Sequence, residues 1–186
     1  MPLEHLWATW RSAYVAGVSD GRDAEGAAEG AAEDVSDPGG SLFERILAAP
    51  GTDEEKQIVL RTDRCFVILN RFPYTAGHLM VLPLRAVPDL EDLDPDEFAE
   101  LWALVRDSVG ALKAGLGCDA VNVGINLGVA AGGSQADHLH VHCVPRWIGD
   151  ANFMTVAGET RVLPVSLDEA RTRLRAAWPS GLPSSS

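Results

Sequence analysis

The chain predicts an α+β fold with a mainly antiparallel sheet. Strand-like runs fall at about 57–62, 64–70, 77–83, 120–126 and 138–144. They are grouped around a single long amphipathic helix pattern, from Asp94 to about Ala114. That mixed order points to α+β rather than to a parallel α/β sheet. At 186 residues the chain can bury one real core, and a single domain spanning 1–186 is expected.

Residues 3–16 place Leu3, Leu6, Trp7, Trp10, Tyr14 and Val15 at spacings that fit a short helix or an arm. The arm is taken as 1–18. Residues 19–40 are rich in Gly, Ala, Asp and Glu and read as a flexible acidic loop. A catalytic core is expected over 41–178 and a frayed tail over 179–186. Within the core, 41–49 reads as a short helix stopped by Pro50 and Gly51. The runs 57–62 and 64–70 form a hairpin-like pair joined near Asp63. Asp94 before Pro95, with Glu97 close behind, marks a helix start. Phe98, Leu101, Leu104, Val105, Val109 and Leu112 form its expected apolar face, and Gly115 and Gly117 its end. A last helix at about 167–178 buries Leu174 and Trp178.

Composition narrows the function. The net charge of -12 argues against general nucleic-acid binding, which needs a basic footprint. It leaves room for a small anion, which backbone amides and a few cations can hold. No apolar run reaches the roughly 20 residues of a membrane span. The N-terminus does not read as a signal peptide. The three cysteines, Cys65, Cys118 and Cys143, lie in or beside apolar segments and lack metal-like spacing. Buried reduced thiols in a cytoplasmic protein are expected.

The chemistry concentrates in His138-Leu139-His140-Val141-His142. On a strand, side chains alternate with period two, so the three histidines share one face. Upstream runs a glycine-rich segment, from Gly128 to Ser134. Three imidazoles suggest a metal site, since neutral imidazole is a common ligand. They also suit nucleophilic attack on phosphorus, in which one ring nitrogen attacks and the other donates a hydrogen bond that fixes the tautomer. Glycines that let backbone N–H groups approach phosphate oxygens favour the second reading.

Asn126 to Trp147 resembles the signature of the histidine-triad (HIT) superfamily of nucleotidyl hydrolases and transferases, whose core pattern is His-x-His-x-His on a strand. Leu69-Asn70-Arg71-Phe72-Pro73 and Gly77-His78-Leu79-Met80-Val81-Leu82-Pro83 resemble that family's nucleoside-binding hairpin. The segments Leu6 to Arg11 and Gly149 to Phe153 resemble one branch, which cleaves diadenosine tetraphosphate by phosphorolysis. The resemblance implies the HIT fold, with about five antiparallel strands and one long helix. It also implies roles. His140 matches the nucleophile that forms a nucleotidyl-histidine. His142 matches the phosphate contact that assists the leaving oxygen. His138 matches the histidine that supports the nucleophile from behind, and His78 a fourth histidine bonded within the cluster. Asn70 matches a ribose contact, Phe66 and Leu69 the lining of an adenine slot, and Asn126, Gly133 and Ser134 the phosphate loop. Trp147 either stacks near a base or packs in the core.

The implied reaction converts diadenosine tetraphosphate and inorganic phosphate to ATP and ADP. The rival readings are a HIT hydrolase of dinucleoside polyphosphates or adenosine phosphoramidates, a metal-dependent hydrolase or metal-binding protein, and a nucleotide-binding protein without turnover. Ser134 departs from the glutamine that many hydrolases of the superfamily carry there; Gln135 is one place off. The shorter serine leaves room for phosphate as acceptor. Some relatives carry Cys-x-x-Cys of a zinc site at the first helix, where this chain has Ser41 and Glu44. No structural zinc and no tightly bound cofactor are expected; a divalent cation such as Mg can accompany the nucleotide. Adenine nucleotides and phosphate are the expected partners, with a homodimer or higher homo-oligomer.

Overall fold

The computed structural model describes residues 40–132, 135–150 and 163–179. The expected arm 1–18, the acidic loop up to residue 39, Gly133, Ser134 and tail residues 180–186 lie outside the described residues. Three α-helices and five strands are seen in the described residues. In chain order they are α1 (Leu42–Ala48), β1 (Ile58–Arg61), β2 (Cys65–Leu69), β3 (Leu79–Pro83), α2 (Pro95–Leu116), β4 (Ala120–Ile125), β5 (Val141–Arg146) and α3 (Leu167–Ala176). The strands form one sheet in the order β1-β2-β3-β5-β4, and every neighbouring pair is antiparallel. The α+β expectation holds, with five strands and one long helix.

The sheet has two differently furnished faces. Cys65, Val67, Leu69, Leu79, Val81, Val141 and Cys143 point to one face, where they pack with Leu101, Leu104, Val105 and Leu112 of α2 and Ala170 and Leu174 of α3. Phe66, Ile68, Met80 and Leu82 point to the other, where Phe43 of α1 joins them. A bulge in β1, between Ile58 and Leu60, sends Ile58 to the second face and Leu60 to the first. Burial raises the thiols of Cys65 and Cys143 to about 12, so both stay protonated.

Helix α2 begins in a capping box. The Asp94 side chain accepts from Glu97 N–H, and the Glu97 carboxylate accepts from Asp94 N–H. It ends at Gly117, in the left-handed region at φ 64. Gly115 does not end it. A Cβ there would lie 2.9 Å from the Arg173 carbonyl oxygen, so Gly115 lets α3 approach closely. Phe98 departs from the expected apolar face: it is 44% exposed and pairs with Trp102 on the outer side of the helix. Glu100 accepts from Arg64 N–H, Cys65 N–H and the Thr62 hydroxyl, tying the β1–β2 turn to α2. Arg171 and Arg175 of α3 donate to the carbonyls of Ile58 and Val59, along edge strand β1.

Candidate active site

The expected strand over 138–144 begins later, at Val141. The approach to it is nonetheless tethered, because Leu139 N–H donates to the Val87 carbonyl. Register places Met80 opposite His142, and Gly124 opposite His142 on the other side. His140 and His142 thus lie on the Phe43 face of the sheet, away from α2. His78, just before β3, joins them there. Nothing lies within 4 Å of where a Gly124 Cβ would be, so the space beside His142 is open.

Hydrogen bonds assign a role to nearly every ring nitrogen. His138 Nε2 lies 2.9 Å from the Pro83 carbonyl, which can only accept, so Nε2 carries a proton. Burial lowers the pKa of this ring, against the opposing pull of the Pro83 hydrogen bond. In the neutral ring Nδ1 is an acceptor, and the Ser41 hydroxyl donates to it at 2.6 Å. The His138 carbonyl in turn accepts from His140 Nδ1–H at 2.8 Å. In the neutral His140 ring the lone pair is therefore on Nε2.

A second chain runs through the loop before β3. Tyr74 backbone N–H donates to His78 Nδ1 at 3.3 Å. His78 then carries its proton on Nε2 and donates to His142 Nδ1 at 3.0 Å. His142 is left with a proton on Nε2, which is buried and has no hydrogen-bond partner among the described residues. Burial, with the neighbouring His140 as the lesser cause, pushes the His142 pKa down to about 4. The ring is neutral at pH 7 and presents an N–H. His140 and His142 meet edge to face, with centroids 4.8 Å apart. The site pairs a basic nitrogen with a neutral N–H donor.

Aromatic rings hold this arrangement. Tyr74 stacks on His78 at 4.8 Å, and Phe43 packs on His138 at 5.4 Å and on His140 at 5.7 Å. Asn70 Oδ1 accepts from Phe72 N–H, and its Nδ2 lies 3.4 Å from His78 Nδ1. Asn70 therefore stands at the histidine cluster, half-buried. Asn126 follows directly on β4, whose last pair is Ile125 with Val141, so the register carries it towards His140. Gly133 and Ser134 lie outside the described residues.

Three expected residues are placed elsewhere or deeper. Leu69 is in the α2 core, on the face opposite the histidines, because position 69 has the opposite parity to 66 and 68. Phe66 shares the histidine face but is fully buried among Phe43, Ile58 and Leu82. Trp147 packs against the α2-side core and donates from Nε1 to the Gly117 carbonyl.

The three histidines do not converge as a ligand set. Both nitrogens of His138, one of His140 and one of His142 are engaged by protein groups. Among the described residues no group of three or more His, Cys, Asp or Glu side chains is arranged to hold a metal. Ser41 and Glu44, at the place of the zinc cysteines in some relatives, are bound to each other and to the fold. Ser41 Oγ accepts from Glu44 N–H, and the Glu44 carboxylate accepts from Ser41 N–H and Ala86 N–H. Those two backbone donors, Ala86 first, hold the Glu44 pKa below its ordinary value.

Reading the sequence singled out the histidines but passed over the contacts of Ser41, Phe43 and Tyr74. Only the first had a local signal: Ser41-Leu42-Phe43-Glu44 is a capping-box pattern before an apolar run.

Comparison with known proteins gives the same class. Residues 52–147 match the model of the HIT domain family. The chain is 41% identical over 176 residues to the AP-4-A phosphorylase of Mycobacterium tuberculosis H37Rv, covering 95% of this chain and 85% of that one. It is 39% identical over 90 residues to the asymmetrical bis(5'-nucleosyl)-tetraphosphatase of Schizosaccharomyces pombe, about half of each chain (48% and 49%). A zinc-bound histidine triad family protein of Mycobacterium smegmatis has a similar structure. The TM-score is 0.59 at 28% identity, over 74% of this chain and 91% of that one. The chain belongs to the HIT family. None of its described helices is long and apolar enough to cross a membrane.

Proposed function

We propose that this HIT enzyme cleaves diadenosine tetraphosphate with inorganic phosphate, giving ATP and ADP through an adenylyl-histidine. One observation carries the reading: His140 Nε2, a lone-pair nitrogen, sits beside His142 Nε2–H, a buried donor without a partner among the described residues. His140 Nε2 attacks the α-phosphorus of one adenylyl group, and the bond to the bridging oxygen breaks as ATP leaves. His142 Nε2–H hydrogen-bonds to that oxygen as its charge develops. An oxygen of inorganic phosphate then attacks the adenylyl phosphorus, which frees His140 and gives ADP. Asn126, Gly133 and Ser134 form the phosphate loop of this reading, and Asn70 contacts the ribose.

Phosphate as the acceptor is supported by the 41% identity to a protein named for that activity, and by a short serine at position 134. The reading also includes a divalent cation accompanying the nucleotide, a homo-oligomer, and a cytoplasmic setting that suits three buried free cysteines.

Product analysis with diadenosine tetraphosphate, with and without phosphate, tests it. ADP and ATP formed only with phosphate are expected. AMP and ATP formed regardless of phosphate would make the protein a hydrolase instead. Ser134→Gln is expected to weaken the dependence on phosphate, and an unchanged dependence would remove Ser134 from the choice of acceptor.

A further inference from the structure

We infer that Ser41 is a positioning residue for the nucleophile and acts through His138. The inference rests on the proposed role of His140 and deepens it. Ser41 is 3% exposed and His138 1%, so neither has water to replace a lost partner. The Ser41 hydroxyl is committed twice: it accepts from Glu44 N–H at 3.1 Å and donates to His138 Nδ1 at 2.6 Å. The first bond orients the hydroxyl so that its proton points at the ring. The second complements the Nε2–H bond to the Pro83 carbonyl, so the His138 ring is held at both ends.

The consequence reaches His140 through the backbone. The residue whose ring is clamped is the residue whose carbonyl receives His140 Nδ1–H. A ring free to turn loosens that carbonyl, and with it the direction of the His140 Nε2 lone pair. Positional error at a nucleophile lowers the rate of the step it attacks rather than the affinity for substrate. Phe43, two residues beyond Ser41, packs on both His138 and His140. Helix α1 therefore supports the nucleophile by hydrogen bond and by ring contact, at the place where some relatives use a zinc site.

Ser41 is also the N-cap of α1, so the test must separate the two jobs. Glycine is tolerated at N-caps at little cost to the helix. Ser41→Gly removes the donor with little loss of helix. Ser166→Gly makes the same change at the N-cap of α3, away from the histidines. The expected result is a fall of about tenfold in kcat for Ser41→Gly, with KM within about twofold. Nitrogen-15 NMR of the His138 ring should show the Nδ1 resonance moving downfield as its donor is lost. Ser166→Gly should leave both readouts unchanged. A Ser41→Gly enzyme with kcat within about twofold of wild type, or an equal fall in both variants, overturns the inference. An unmoved Nδ1 resonance overturns it as well. If the wild-type protein does not turn over diadenosine tetraphosphate, the proposed function fails instead, and the ring resonance still tests the hydrogen bond.

Discussion

On the face covered by α2 and α3, the strands present Val67, Val81 and Val141 to a continuous apolar core. On the opposite face the same strands present Phe66, Met80 and His142, beside His138, His140 and His78. The first face is held by burial, which is non-directional. The second adds, beside its own apolar cluster, directional bonds: Ser41 to His138, His138 to Pro83 and to His140, and His78 to His142. On the first face a residue of similar size and polarity serves nearly as well. On the second most ring nitrogens have a hydrogen-bonding partner, which a side chain chosen for size alone does not replace.

The largest effect should come from the polar face and leave the apolar one intact. His140→Ala is expected to lower turnover about a thousandfold or more while the protein still unfolds cooperatively near the wild-type midpoint. Near-normal turnover by this variant would remove His140 from the mechanism. The converse change is Leu101→Ala, at a fully buried α2 position. It should destabilise the protein by about 2–5 kcal/mol, while the folded fraction keeps its kcat. Denaturant unfolding with parallel assays decides this, and a kcat loss in the folded fraction would show that the two faces are coupled.

Acid sharpens the contrast. His142 has a folded pKa of about 4, and that of His138 is also lowered, both mainly by burial. Unfolded histidines titrate near pH 6.5, so between about 6.5 and 4 the unfolded chain binds protons that the folded chain refuses. Stability from these rings is complete above about pH 6.5 and declines as pH falls. The His142 share levels off below about 4. The midpoint of His142→Gln should fall less steeply over this range than that of wild type; parallel curves would refute the assignment. The smallest effect is expected at Asp94, which caps α2 without touching the histidines. Asp94→Ala should lose about 1 kcal/mol of stability and leave the pH dependence of turnover unchanged.

Much of the fold was legible because its signals are local. The strand-like runs marked five strands to within a few residues, and Asp94-Pro95 marked the start of α2. Phe98 and Gly115 were misjudged for a different reason. Whether a helix face meets another element, and how closely, depends on partners distant in sequence, here the carbonyl of Arg173. The histidines announced the candidate site through their alternation, which also assigned them a common face. Leu69 could have been placed on the opposite face by the same parity rule, since it alternates out of phase with Phe66.

The sequence by itself determined which residues are candidates for the chemistry, because spacing along a strand is set by backbone geometry. It also determined the sheet-and-helix composition, through periodicity and caps. Only the tertiary structure decided the proton positions, since these depend on groups far apart in the chain. Ser41 lies 97 residues from His138, and His78 lies 64 from His142. A ring nitrogen becomes nucleophile, donor or mere anchor according to the partner of its other nitrogen, and that partner is supplied by folding.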